Sequence, residues 1–133
     1  MKRIAQPIVL SAAAAILLFT AGCQSVSTTA VQDLGAPQFA KVDPSQVQIL
    51  RTEPTRPHVR LGEVRAETAS PETPVPDIEQ ALKKKGASIG ADALVVIHDS
   101  TQVTGAQVVG SWRNRSVIET EGRVIITVAI KYK

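Results

Sequence analysis

A chain of 133 residues with a formal net charge of +3 and a single cysteine has room for one domain. One cysteine excludes an intramolecular disulfide, so the fold must be stabilised by its hydrophobic core. Lys2 and Arg3 contribute two of the net positive charges. Without them the chain is close to neutral, which gives no electrostatic support for binding nucleic acid, and no such partner is expected.

The N-terminal segment has the features of an export signal. Lys2 and Arg3 precede an apolar run over residues 8–21, which ends in the small residues before Cys23. The run is too short to span a membrane as a mature helix, and small residues are typical of a cleavage site. Residues 1–22 are therefore predicted to be a signal peptide.

The residues around Cys23 resemble the lipobox of bacterial lipoproteins. Thr20-Ala21-Gly22-Cys23 ends in the Ala-Gly-Cys of that pattern, although Thr20 replaces the usual aliphatic residue. The resemblance implies a diacylated Cys23, and several acyl chains hold a protein to a membrane far better than one chain. An ordinary secretory signal is the alternative. Gln24 follows in place of the Asp that favours inner-membrane retention, so the periplasmic leaflet of the outer membrane is the expected location.

Two different segments follow the cysteine. Ser, Thr, Gln, Ala and Pro dominate residues 24–45 without a sustained hydrophobic period. This composition predicts that residues 23–45 are the lipidated cysteine and a flexible tether. Residues 47–50, which lie between Pro44 and Pro54, predict a short strand at the edge of a sheet.

An alternating pattern over residues 58–66 predicts a second strand. Its phase shifts at Gly62, which indicates a bulge or bend. His58 could bind a metal or carry a proton, but a solvent-facing histidine at the start of a strand is the favoured interpretation. Residues 67–76 contain three prolines and predict a loop.

A helix is predicted to begin at Asp77, whose side chain can cap the free N–H groups, and to end at Gly90. Gly86 weakens the last turn and could end the helix earlier. Lys83, Lys84 and Lys85 are predicted to form a solvated face, with a patch facing peptidoglycan or lipid headgroups as the alternative. The apolar stripe of this helix is Ile78, Ala81, Leu82 and Ile89.

A continuous apolar run over residues 93–97 predicts a strand that is buried on both faces or central in the sheet. His98 and Asp99 follow it and could orient a proton or bind a metal. Neighbouring residues of a strand point to opposite faces, however, so we do not expect these two to share a site.

Two of these motifs resemble a known group of proteins. Leu61-Gly62-Glu63-Val64, the helix that carries Ala81, and the GADALVV of residues 90–96 are similar to the "LGxV … helix … GADAVxx" pattern. That pattern belongs to the YbjQ-type domains, which carry a heavy-metal-binding label, and to the Rcs envelope-stress sensor lipoprotein. The resemblance covers residues 46–133 and implies one helix on a small sheet, on a lipidated tether in the sensor. The sensor's disulfide cysteines have no counterparts here.

The C-terminal part predicts several short strands. After a break at Gly105, these are residues 107–112, residues 117–120 and residues 123–132. The last of them alternates regularly, which indicates that one of its faces belongs to the core.

Trp112, Arg113 and Arg115 form a candidate partner surface, because tryptophan and arginine are common in the centres of protein interfaces. Trp112 could instead be a core residue at the end of a hairpin. The core interpretation is the favoured one.

The sequence thus predicts one α+β domain over residues 46–133, with one main helix on a mixed or antiparallel sheet of about four to six strands. It contains no motif for a nucleophile, a phosphate loop or a metal site, so no catalysis, cofactor or metal is expected. A non-enzymatic envelope lipoprotein is the leading hypothesis, with a membrane anchor and an envelope protein partner in surveillance or assembly. A periplasmic module for small molecules or metal ions and a structural protein that contacts the cell wall are the alternatives.

Overall fold

The computed structural model describes residues 26–133. The predicted signal peptide and Cys23 therefore lie outside the described residues. A short 3-10 helix at Pro44–Gln46 precedes the second strand. The main elements are β1 (Val26–Gln32), β2 (Gln48–Leu50), β3 (His58–Thr68), α1 (Val75–Ser88), β4 (Ala93–Ser111) and β5 (Asn114–Tyr132).

The five strands form one sheet in the order β1-β3-β5-β4-β2. All neighbours are antiparallel except β2 and β4, which are parallel. Helix α1 packs on one face of this sheet. The predicted α+β class, one main helix on a small mixed sheet, is confirmed, and β2 lies at an edge as expected.

The prediction of a flexible tether up to residue 45 is wrong for β1. Val26–Gln32 pairs with β3 from Val26 opposite Thr68 to Gln32 opposite Gly62. Val26 and Ala30 also pack against the core from this edge strand. The composition of the segment concealed it, because an edge strand needs only a neighbour with free hydrogen-bonding groups and one half-buried face.

The predicted irregularity at Gly62 is confirmed, because the pairing of β3 with β5 shifts between Arg60 and Gly62. Gly62 has a φ of 153°, and a Cβ there would collide with the carbonyl oxygen of Val31. The bulge therefore depends on the missing side chain, and it sets the position of the end of β1.

The helix begins two residues earlier than predicted. Pro74 occupies the N-cap without a side-chain hydrogen bond, and Asp77 lies in the first turn. The prediction that Asp77 is the cap is therefore wrong. Pro76 lies in the first turn, where its missing N–H costs nothing. The carboxylate of Asp77 still opposes the positive end of the helix dipole. Gly90 has a φ of 78° directly after the C-cap, as predicted.

The helix packs closely on β4 because of Gly86. Ile78 and Leu82 of the predicted stripe are buried, whereas Ala81 and Ile89 are half-buried. Gly86 does not end the helix; it is buried, and a Cβ there would lie 2.9 Å from Cδ2 of Leu94. The core on this face consists of Val47, Leu61, Val64, Ala66, Ile78, Leu82, Ala87, Ala91, Leu94, Ile125 and Ala129.

The C-terminal half contains two long strands in place of the predicted short ones. β4 and β5 each have 19 residues, and β4 continues through Gly105 to Ser111. The predicted break at Gly105 is a shift in pairing between Val103 and Gly105. β4 lies inside the sheet between β5 and β2, as the second alternative for residues 93–97 predicted. Burial on both faces holds over residues 93–95 but not at Ile97, which is 57% exposed beside another pairing shift.

Candidate interaction arm

β4 and β5 extend well beyond the rest of the sheet. The last pair of β3 with β5 is Glu67 opposite Val124. From Thr101 opposite Arg123 onwards, the two strands pair only with each other, up to Ser111 opposite Asn114. We call residues 101–123 the arm. Ten residues of strand span roughly 30 Å, which is long for an element that packs on nothing else.

The base of the arm is fixed to the domain. The backbone N–H of Arg123 donates to Oγ1 of Thr68, and that hydroxyl donates to the carbonyl oxygen of Ser70, at 2.8 and 2.6 Å. Thr68 is buried. These bonds satisfy the backbone where β3 ends and β5 loses its second neighbour.

The side chain of Arg123 forms a charged cluster on the helix side of the base. Its Nε and one terminal nitrogen donate to the carboxylate of Asp99 at 2.7 and 2.8 Å. Arg51 donates to the same carboxylate at 3.3 Å. The bonds from Arg123, and to a smaller degree those from Arg51, hold the pKa of Asp99 below its usual value, although burial opposes this. Asp99 raises the pKa of Arg123 in return.

The arm exposes an unusual amount of apolar surface. Every residue from 105 to 121 is exposed. Val108 and Val117 lie directly opposite each other, and Gln107 opposite Ile118 and Val109 opposite Ser116 project from the other face. The exposed large apolar side chains of the arm are Val103, Val108, Val109, Trp112, Val117 and Ile118.

Charge is distributed unevenly along the arm. Arg113 and Arg115 are the charged residues of the distal part, residues 106–118. Glu119 and Glu121 lie closer to the base. The arm is therefore apolar and cationic at its tip and acidic below it.

The predicted partner surface lies at the tip. Trp112 and Arg113 form the turn between the strands, and Arg115 lies opposite Gly110. The favoured core interpretation of Trp112 is wrong, because this residue is 84% exposed. A turn at the end of an unsupported pair of strands has no core to enter. Sequence reasoning did not place Val108 and Val117 on this surface, although the β-branched residues on both sides of Gly105 were a usable signal for a longer strand.

The two histidines do not form a site together. His98 lies opposite Ile126 and His58 opposite Tyr132, so they are about six residues, roughly 20 Å, apart along the sheet. Nε2 of His98 lies 2.7 Å from Oγ of Ser100, whereas Asp99 binds Arg123. The expectation that His98 and Asp99 do not share a site is confirmed.

His58 is not the solvent-facing residue that we expected. Its side chain is only 18% exposed, and Nδ1 lies 2.7 Å from the carbonyl oxygen of Arg56. Nε2 lies 3.3 Å from the carboxylate of Glu53. These contacts fix the loop before β3. Among residues 26–133, no group of three or more His, Cys, Asp or Glu side chains is arranged to hold a metal ion.

Two clefts flank the sheet. One, of about 480 Å³, separates the start of β1 from the base of the arm and is lined by Val26, Thr68 and Thr104, among others. The other, also about 480 Å³, lies on the face opposite α1, with Val95, Val128 and Ile130 at its apolar floor. The first cleft shows that the chain enters the sheet beside the arm.

No helix within residues 26–133 is both long and apolar enough to cross a membrane.

Comparison with known proteins gives a similarity of fold. No protein-family model matches the chain, and no curated protein matches it significantly. The crystal structure of a Francisella virulence factor, FvfA, in its orthorhombic form is similar with a TM-score of 0.50 over 79% of this chain and 98% of that chain. The two sequences are 13% identical, so the similarity shows that this α+β fold also occurs in FvfA and nothing further.

Proposed function

We propose that this chain is a non-enzymatic lipoprotein of the bacterial envelope, anchored through an acylated Cys23 and facing the periplasm. Its domain is an interaction module, and the arm is the element that binds a further component of the envelope. An envelope protein engaged in surveillance or assembly is the proposed partner along the faces of the arm. The outer membrane is the proposed location of the anchor.

The observation that carries this proposal is the exposed apolar surface of the arm. Soluble monomers rarely expose contiguous apolar surface of this kind, and such surfaces are typical of interaction sites. The arm adds no side chain to the core from residue 105 to residue 121, so folding alone does not require it. The base, in contrast, is fixed by buried Thr68 and by the ion pair of Asp99 with Arg123.

The sequence supports the proposed cellular location. The lipobox-like residues 20–23 support acylation, and Gln24 supports the outer membrane over the inner one. The resemblance to the Rcs stress-sensor lipoprotein supports a role in envelope surveillance. The absent sensor cysteines mean that this chain would act without disulfide chemistry.

The partner is tested by site-specific photo-cross-linking in cells. A photoreactive residue in place of Val103, on the proximal half of the arm, should capture a discrete envelope protein. The same residue in place of Lys84, exposed on α1, is the matched control and should not capture it. Equal capture at both positions, or no capture at Val103, would refute the proposal that the arm binds the partner.

The anchor is tested separately with Cys23→Ser. The variant should accumulate as unprocessed precursor, and the mature wild type should carry acyl groups by mass spectrometry. Normal processing of Cys23→Ser, with an unmodified wild-type cysteine, would refute anchoring at this residue.

A further inference from the structure

The start of β1 and the base of the arm lie at the same end of the domain. β1 is antiparallel to β3, so its first residue, Val26, lies opposite Thr68 at the end of β3. Thr68 in turn binds the backbone of Arg123 at the base of the arm. Val26 also lines the cleft whose other wall is the arm itself. Val26, the first residue of β1, therefore lies at the end of the sheet from which the arm projects.

The connection from anchor to domain is short. Cys23 precedes Val26 by three residues, which can span at most about 10 Å. The tip of the arm lies roughly 30 Å beyond its base. An acylated Cys23 would hold the base of the arm within about 10 Å of the lipid surface. The arm, at roughly 30 Å, is longer than this distance. Its distal end can therefore reach the headgroup layer.

The chemistry of the distal end suits that layer. Tryptophan is enriched at membrane–water interfaces, where its ring lies among the headgroups, and arginine pairs with lipid phosphate. Residues 108–118 contain Trp112, Arg113 and Arg115 and no acidic side chain. An anionic surface attracts such a segment and repels the carboxylates of Glu119 and Glu121, which lie closer to the base.

We propose that the distal end of the arm, residues 108–118, inserts into the anionic headgroup layer of the membrane that carries the lipid anchor. This inference rests on the acylation of Cys23 proposed above. It leaves the proximal half of the arm, including Val103, for the protein partner.

The distribution of apolar side chains favours lipid over a protein surface at the tip. Val108 and Val117 project from one face, and Val109 and Ile118 from the other. A protein that docks on one face would leave the second face in water, whereas a fluid headgroup layer surrounds both. The outer edges of the two strands carry free backbone groups, which cannot enter the hydrocarbon region unpaired. Insertion is therefore confined to the interface.

The single tryptophan of the chain makes the tip directly observable. The mature acylated protein is reconstituted into vesicles of phosphatidylcholine, with or without phosphatidylglycerol, that carry spin-labelled lipids. In anionic vesicles we expect a blue-shifted emission from Trp112 and quenching by headgroup labels. Two arginines near an anionic surface account for about a 30-fold change in the ratio of inserted to free tip. Arg113→Gln/Arg115→Gln should lower the inserted population accordingly.

A matched variant separates the tip from overall charge. Lys83→Gln/Lys84→Gln removes the same charge from α1 and should leave the quenching of Trp112 unchanged. An acylated chain whose Trp112 stays in water in anionic vesicles overturns the inference and leaves the anchor intact. A chain without acyl groups would refute the proposed anchor itself. Mass spectrometry of the acyl groups distinguishes this outcome from an acylated chain whose tip stays in water.

Two other occupants would also overturn the inference. Protection of Trp112 that rises with protein concentration in the absence of vesicles would assign the tip to a second copy of the chain. Protection that appears only when another envelope protein is added to the vesicles would assign the tip to that protein.

Discussion

Arg123 donates its backbone N–H to Oγ1 of Thr68 over 2.8 Å, at the point where the arm leaves the sheet. The next pair along, Glu67 with Val124, is the last in which β3 and β5 are neighbours. A buried hydroxyl thus replaces the backbone partner that β3 can no longer offer. This one contact separates the part of β5 that belongs to the core from the part that belongs to the arm.

Replacement of Thr68 with Val should destabilise the domain. The substitution leaves the N–H of Arg123 without its partner, at a cost of about 1–3 kcal/mol. The carbonyl oxygen of Ser70 loses one donor but still accepts from the hydroxyl of Thr73 at 2.9 Å. Urea denaturation measures the loss in the free energy of unfolding. Thr68→Ser keeps the hydroxyl and should lose clearly less. No loss in Thr68→Val, which keeps the methyl group and lacks only the hydroxyl, would contradict the role of this hydrogen bond.

The ion pair of Asp99 with Arg123 predicts a pH dependence of stability. The pKa of Asp99 is depressed in the folded chain by the hydrogen bonds from Arg123. Its contribution to stability is therefore complete above the unfolded pKa of about 3.9 and is lost as the pH falls through the folded pKa. Asp99→Asn should be less stable than wild type at neutral pH, by up to about 1 kcal/mol, and the difference should vanish in acid.

Urea denaturation of both proteins over a pH series measures this effect. Glu119→Gln on the exposed arm removes the same charge and should show no comparable difference from wild type. A constant difference between Asp99→Asn and wild type at all pH values would contradict the assignment.

A larger side chain at Gly86 should weaken the packing of α1 on β4. Even a Cβ at this position would lie 2.9 Å from Cδ2 of Leu94, and a branched side chain would overpack the core at a cost of about 1–3 kcal/mol. Thermal unfolding of Gly86→Val measures the loss. Valine is a better helix former than glycine, so helix propensity would not cause this loss. Lys84→Val, at an exposed position of the same helix, places valine outside the core and should cost only a few tenths of a kcal/mol.

Removal of the distal arm should leave the core intact. A variant without residues 106–119, in which Asn-Gly joins Gly105 to its partner Thr120, keeps the buried residues of the sheet. Its free energy of unfolding should stay within about 0.5 kcal/mol of wild type, as for other exposed changes. Circular dichroism during urea denaturation measures it, and a loss of several kcal/mol would give the arm a structural role.

Trp112 should behave as an exposed indole in the isolated domain in water. Its emission maximum should lie close to that of the urea-unfolded chain, and a soluble quencher should reach it equally in both states, since 84% of the residue is exposed. Steady-state fluorescence is sufficient for this test. A blue-shifted, protected Trp112 in vesicle-free dilute solution would mean that the tip folds back on the domain.

Patterns that depend on local physics were predictable from the sequence. The presence of the helix, its end at Gly90 and the bulge at Gly62 follow from periodicity and from glycine conformation, and these occur as expected, whereas the start of the helix does not. The edge position of β2 followed from the prolines around it. Each of these properties is decided by a residue and its immediate neighbours in the chain.

Properties that depend on distant partners were not predictable. β1 is a strand because Val26–Gln32 pairs with β3. The polar composition of this segment does not indicate that pairing. Trp112 is exposed because β4 and β5 extend beyond the rest of the sheet. The residue pattern of neither strand indicates how far it extends. The tip residues were identified as a candidate surface, but their position at the end of an arm required the structure.

The pairing of β1 also limits how far the domain can move from the proposed anchor at Cys23. While Val26–Gln32 stays in the sheet, only three residues connect Cys23 to the domain. β1 is an edge strand with one neighbour, so it is the strand that mechanical tension on the N-terminus would detach first. Val42 packs against the core and donates its N–H to the carbonyl oxygen of Ala87, so detachment of β1 would free the chain only up to Gln32. The segment from Cys23 to Gln32 could then extend to roughly 30 Å. The pairing of this seven-residue strand thus determines how far the domain can lie from the proposed anchor.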